Sequence, residues 1–240
     1  MAQSYLLTKS KYIRGLQCDR ALWLDVYNPK LARYTAEQMR RFDRGREFEY
    51  AFKDTFPNGI DISAELKRNT DAYPILTAQL LNQEEEVNLF EAGFLYNDVL
   101  VLADVVHRRP DGTLDIYEVK SGSTLSETYK RDAALQHYVI AHCWEVNKFC
   151  VVYNGMSDKS DLSDRSDRSD RSDRSDNFKV VDLTDELAAQ HSEIENNIAL
   201  MKEILQHGEP ATPTGQHCLE PYACPYQHYC AQGIRQMSLF

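Results

Sequence analysis

The chain has 240 residues, with 37 Asp and Glu against 27 Lys and Arg and a formal charge of −10 at neutral pH. That length suits one sizeable α/β domain, or a core with a small appendage, rather than two equal domains. The acidic balance argues against a protein that coats nucleic acid, although a metal-dependent enzyme needs only a local basic track beside an acidic centre. No apolar run approaches a membrane span, and Met1–Ser10 lacks the apolar stretch of a signal peptide, so a soluble, cytoplasmic chain is expected. Six cysteines in such a chain point to metal ligation or plain burial, not to a disulfide scaffold.

In chain order, residues 8–25 carry apolar positions at helical spacing and stop before Asn28-Pro29. Thr35 followed by Gln38 is a capping-box pattern that opens a second helix to about Phe56, and a shorter helix is expected around 70–82. Residues 87–96, Val99–His107 and Leu114–Lys120 read as strands, the last two joined by a Pro110-Asp111-Gly112 turn, which gives an antiparallel meander. Ser126–Val146 reads as a helix, Phe149–Tyr153 and Phe178–Leu183 as strands, and Thr184–His207 as a long helix stopped by Gly208 and Pro210. The expected fold is α/β, a central mixed β-sheet flanked by helices.

Residues 157–176 read SDKSDLSDRSDRSDRSDRSD, a three-residue repeat with almost nothing apolar to bury. Such a segment is expected as an insertion in a surface loop, with a phosphorylated Ser-Arg tract as the functional alternative. Two basic tracks stand near the N-terminus: Lys9, Lys11, Arg14 and Arg20, then Arg40, Arg41, Arg44 and Arg46. Each reads either as a solvated helix face or as a path for a phosphate backbone.

DIYEVKSGS, residues 115–123, departs from an ordinary strand because Glu118 and Lys120 sit two apart and therefore on one face. Burying an acid and an ammonium together costs desolvation that their attraction only partly returns. Asp104 lies in the strand before the turn, so hairpin pairing brings it towards Glu118. Two carboxylates and the Val119 carbonyl then offer oxygen ligands to Mg²⁺ or Mn²⁺, with Lys120 pointing at the same centre. The competing reading is an exposed sheet face with a salt bridge.

With Asp104, Glu118 and Lys120 in this order, the sequence resembles the PD-(D/E)xK nucleases, in the RecB-like branch that includes the iron–sulfur exonucleases of CRISPR adaptation. The resemblance implies a restriction-endonuclease-like core with these three residues as its metal-binding and catalytic set. The branch's helical motif, a Gly followed four residues later by a His, falls on Gly45 and Glu49, with Glu in place of His as a metal ligand. A later helical motif falls on Tyr129, Gln136 and Tyr138, the Gln-to-Tyr spacing being two instead of the more frequent four. Gln136 and Tyr138 would then be catalytic, and Tyr129, Lys9, Lys11, Arg14 and Arg20 would bind nucleic acid.

The C-terminal run GQHCLEPYACPYQHYC places Cys218, Cys224 and Cys230 six residues apart, and Cys18 stands far upstream. In the iron–sulfur members one N-terminal and three C-terminal cysteines hold a [4Fe–4S] cluster, so the resemblance implies that cofactor on Cys18, Cys218, Cys224 and Cys230. Zinc competes for four thiolates. The C-x₅-C-x₅-C spacing departs from the common C-x₂-C, and His217 and His228 are further candidate ligands. Cys143 and Cys150 read as buried core residues.

The resemblance thus implies one nuclease domain over 1–240: a helical segment at 1–60, a catalytic sheet core at 85–183 and a C-terminal helix with the cysteines at 184–240. Its expected activity is metal-dependent exonuclease cleavage of single-stranded DNA or DNA ends, in CRISPR adaptation or repair, with an integrase or helicase as a possible partner. Two other classes compete: a nucleic-acid-binding module with a decayed site, and a cluster- or zinc-based scaffold that recruits partners.

Overall fold

The computed structural model describes residues 6–67, 69–155 and 178–237; the Ser-Asp-Arg repeat at 157–176 lies outside them. The chain opens with β1 (Leu7–Thr8), α1 (Lys9–Gln17), α2 (Asp19–Tyr27) and α3 (Ala36–Lys53). Next come β2 (Ile60–Asp61), α4 (Ile62–Leu66), α5 (Tyr73–Gln83), β3 (Val87–Tyr96), β4 (Val99–Arg108) and β5 (Leu114–Lys120). After them follow α6 (Glu127–Ala141), β6 (Val146–Asn154), β7 (Phe178–Asp182), α7 (Thr184–Ala188), α8 (His191–Gln206) and α9 (Gln227–Met237). No helix among the described residues is long and apolar enough to cross a membrane.

The capping box at Thr35 and Gln38 forms with both reciprocal bonds, as expected. The helix expected over 8–25 is two helices, because Cys18 adopts an extended backbone between them. The helix expected over 126–146 ends at Ala141, and Val146 already belongs to β6. Thr184–His207 is likewise divided, at residues 189 and 190, into α7 and α8.

The seven strands form one mixed sheet in the order β2-β3-β4-β5-β6-β7, with β1 added on β4. β3, β4 and β5 are the antiparallel meander read from the sequence, and α6 is the crossover to a parallel β6. Helix α6 is buried from Asp132 to Ile140 and packs on one sheet face with α8. On the other face Phe52 of α3 joins Val105, Val119 and Val152, with Phe48, Phe56, Tyr117 and Phe178 around them.

Two irregularities in the sheet matter. The β4–β5 pairing ends at Val105 opposite Tyr117, although both strands continue, and β1 instead pairs in parallel with Val99 and Leu100 of β4. The β3–β4 ladder passes from Phe90–Val105 to Ala92–Ala103, skipping Glu91 and Asp104, and Glu91 holds φ +53° in mid-strand. A left-handed backbone at a non-glycine residue costs about 1 kcal/mol or more, so its surroundings must enforce it.

Helices α6 and α8 meet through His137 and His191, whose Nδ1 and Nε2 lie 2.8 Å apart, within hydrogen-bond distance. Burial, then the neighbouring His191 and His142, lower the His137 pKa to about 4; burial and His142 lower that of His191 as well. Between pH 6.5 and about 4 the unfolded chain therefore binds protons that the fold refuses, and stability falls as pH falls through this window. His137→Phe should flatten the slope of unfolding free energy against pH in that window. Denaturant titrations at several pH values will check this, and an unchanged slope would refute the assignment.

Candidate active centre

Asp104 and Glu118 lie at the fork where β4 leaves β5. There the lost ladder bond is replaced by a side chain: the Val119 N–H donates to Asp104 Oδ2 at 2.7 Å. Along a strand a residue's N–H and C=O face the same neighbour, so the Val119 carbonyl also faces the gap. Asp104 is buried at 9% exposure. Burial and then the charge of Glu118 raise its pKa well above the usual carboxylate range.

Glu118 is almost wholly buried, and its Oε1 accepts from Lys120 Nζ at 2.6 Å and Lys9 Nζ at 2.7 Å. Its Oε2 is buried and has no hydrogen-bond partner among the described residues. Burial alone would raise the Glu118 pKa, but Lys120 and Lys9 outweigh it and hold this carboxylate below its usual range. Lys120 also bonds Asp132 of α6, which Lys9 approaches to 3.7 Å. The period of two explains the contact: with Ile116 facing the core under α6, Glu118 and Lys120 face α6 too. Lys120 stays charged, since Asp132, Glu118 and Asp104 together outweigh the burial that would lower its pKa.

A second group comes from α3. Glu49 and Glu91 both accept from Lys53 Nζ, at 2.5 and 2.7 Å, and Lys53 is itself 6% exposed. Carboxylate oxygens of Glu49, Glu91 and Asp104 all lie within 4.8 Å of one another, an arrangement able to hold a metal ion. The left-handed turn at Glu91 belongs to the residue that joins this trio. Glu91 and Lys53 are the members that the sequence reading missed. Glu91 sat inside an ordinary strand pattern, and Lys53, four residues after Glu49, looks like a surface helix pair. The fork thus gathers five carboxylates, Glu49, Glu91, Asp104, Glu118 and Asp132, and three ammonium groups, Lys9, Lys53 and Lys120. When all are ionised the excess is two negative charges, the charge of one divalent cation.

Gln136, one turn after Asp132, is fully buried with both amide atoms lacking partners among the described residues. Tyr138 is placed elsewhere: its hydroxyl accepts from Asn97, and its ring packs against Tyr96, His142 and His191. Tyr129 borders the centre, with Lys120 Nζ 5.6 Å from its ring centroid. Its hydroxyl would lie 2.6 Å from a Cβ at position 122, so a side chain there would displace it. Tyr222, between Cys218 and Cys224, also reaches this edge: burial and then Tyr129 raise its pKa, with Lys120 opposing.

The basic residues of α1 and α2 are engaged within the chain. Lys9 is in the centre itself, and Lys11 donates to the Leu6 carbonyl. Arg14 pairs with Asp25 and Gln17, and Arg20 pairs with Glu209 and stacks over Tyr229. Of the second basic track, the side chains of Arg41 and Arg44 lie outside the described residues.

The N-terminal helices and the C-terminal segment are in contact. Gln17 Nε2 donates to the carbonyls of His217, Glu220 and Tyr222, and the Tyr226 hydroxyl bonds Asp25. Cys18, Cys224 and Cys230 share a cluster with Ala21, Leu24 and Tyr226, and the Cys224 N–H donates to the Cys218 carbonyl at 2.8 Å. Burial raises the thiol pKa values of Cys18, Cys224 and Cys230. Against this, the amides of Ala21 and Arg20 at the start of α2 lower the Cys18 pKa. Cys150 is buried, whereas Cys143, read as a core residue, is exposed at the end of α6 with its thiol directed to the Leu95 carbonyl.

No family model matches the chain, and no curated protein matches it. Among solved structures it is similar to the crystal structure of SSO0001, at 13% identity over 97% of this chain and 88% of that one, with a TM-score of 0.46. A likeness at that score carries no argument about family or chemistry.

The buried Asp104 gives a test that needs no substrate. Its raised pKa means that the fold binds a proton that the unfolded chain releases, so without metal Asp104 costs stability as pH rises above the ordinary carboxylate range. Asp104→Asn keeps an oxygen for the Val119 N–H and removes the charge. In the presence of a chelator at pH 7 it should raise the thermal midpoint by several degrees, while Mn²⁺ should stabilise it less than the wild type. A lower midpoint in chelator would contradict the electrostatic reading.

Proposed function

We propose that the chain is a divalent-metal-dependent deoxyribonuclease of the PD-(D/E)xK kind, RecB-like branch, acting as an exonuclease on single-stranded DNA or DNA ends. The observation that carries the reading is the buried, unpartnered Oε2 of Glu118, a carboxylate whose charge acts on Asp104, which itself converges within 4.8 Å of Glu49 and Glu91. A buried carboxylate oxygen without a donor is costly, and a hard cation is the partner that chemistry would supply. Glu49, Glu91, Asp104 and Glu118 would hold it, with the Val119 carbonyl facing the same gap.

A bound Mg²⁺ or Mn²⁺ would supply Lewis acidity and a water acidic enough to attack at neutral pH. Lys120, fixed between Glu118 and Asp132 and charged, acts as a cation that offsets the negative charge growing on the phosphate. That role differs from proton abstraction, for which its pKa is shifted the wrong way. Gln136 offers a buried amide on the same helix face as Asp132, and Tyr129 offers a ring at the edge for an unpaired base.

The cysteine centre belongs to the same reading as a [4Fe–4S] cluster with a structural role, joining α1 and α2 to the C-terminal segment. A single zinc ion with Zn–S bonds of about 2.3 Å holds its sulfurs about 3.8 Å apart. Zinc competes for the same four thiolates, and the metal content of the purified protein decides between the two. CRISPR adaptation or DNA repair, beside an integrase or helicase, would be the setting that the resemblance suggests.

The purified protein should degrade end-labelled single-stranded DNA with Mn²⁺ and not with a chelator. Glu118→Ala should reduce the rate by about 10³-fold or more. Retained cleavage in that variant would remove the site from the reaction, and no cleavage by the wild type would favour a non-catalytic binding module.

Prepared without oxygen, the protein should be brown and contain iron and acid-labile sulfide. Cys18→Ser, Cys218→Ser, Cys224→Ser and Cys230→Ser should each lose the colour, whereas Cys143→Ser should keep it. Colourless protein with about one zinc per chain would replace the cluster by a zinc site.

A further inference from the structure

We propose that Lys9 is a second ammonium of the active centre, placed to bind the substrate phosphate and competing with the metal ion for Glu118. The inference rests on the nuclease reading for its substrate and on geometry for everything else. Glu118 Oε1 receives two ammonium groups almost equally, Lys120 at 2.6 Å and Lys9 at 2.7 Å. Lys120 is built into β5, next to the acid it serves. Lys9 arrives from the other end of the chain, 109 residues away in sequence.

Its placement is fixed by backbone. β1 occupies the end of β4 that β5 has left, and the Thr8 side chain caps α1, so Lys9 enters the fork as the first residue of that helix. A cation in the first turn opposes the helix dipole, where an acid would be favoured, and α1 has no acid there. A residue that breaks a local rule without a local gain is expected to serve a site. Lys9 is also the outer of the two ammonium groups, with its side chain 28% exposed against 17% for Lys120. An incoming phosphodiester, with its single negative charge, meets Lys9 first.

Two properties follow for Lys9→Gln, which keeps a donor for Glu118 and loses the charge. With a competing cation gone, Mn²⁺ measured by calorimetry on the protein without DNA should bind several-fold more tightly. Cleavage of single-stranded DNA at saturating Mn²⁺ should fall by about 10²-fold. Lys9→Arg, which preserves the charge, should restore most of the rate and near-wild-type Mn²⁺ affinity. A change confined to fold stability would move neither quantity in opposite directions. If Lys9→Gln cleaves at the wild-type rate, or binds Mn²⁺ no more tightly than the wild type, the proposal is overturned. If the wild type itself cleaves no nucleic acid, the nuclease reading fails with the phosphate role, and the calorimetry alone still decides whether Lys9 competes for Glu118.

Discussion

The parting of β4 from β5 governs the rest of the molecule. A continuous ladder would place Asp104 and Glu118 in a closed sheet, where carboxylates have neither room nor ligand. Because the pairing stops at Val105 and Tyr117, the Val119 N–H needs an acceptor, and the Asp104 carboxylate is the one within reach. One side chain thus satisfies the broken ladder and faces the gap that the break creates. The free end of β4 is not left as an exposed edge either, since β1 takes it, and in doing so brings Lys9 to the centre.

The charges at the fork are balanced only in part from within. Lys53 holds Glu49 and Glu91, and Lys120 and Lys9 hold Glu118 and Asp132. Asp104 makes no ion pair with an ammonium among the described residues, and burial followed by the charge of Glu118 raises its pKa well above the usual carboxylate range. Buried carboxylates that are balanced only in part cost stability, so the fork is held at the expense of the fold.

How much of this was legible in the sequence depended on the range of each interaction. The meander, the Pro-Asp-Gly turn and the Thr35 capping box were readable because each is set by residues within a few positions. Asp104, Glu118 and Lys120 were readable because a hairpin fixes their relative place. Glu91 was hidden, since a strand pattern carries no sign of a residue with positive φ. The contact of Lys9 with Glu118 was hidden for a different reason: its neighbours in sequence describe a basic helix face, and only a two-residue strand pairing with distant Val99 and Leu100 turns it inward.

Cys18 shows both limits together. Its distance from the other cysteines in sequence made it the natural fourth partner only if the chain ends meet, and they do, through Gln17, Arg20 and Asp25. Yet the periodicity of residues 8–25 ran through it without a break. The helix breaks there because Cys18 turns extended to start α2, which sets its sulfur beside the first amides of the new helix. The same break fixes the length of α1, nine residues with Lys9 at one end and Gln17 at the other. A helix of that length spans about 13 Å. One helix thus carries both the residue that bonds the cysteine segment, Gln17, and the ammonium that meets Glu118, Lys9.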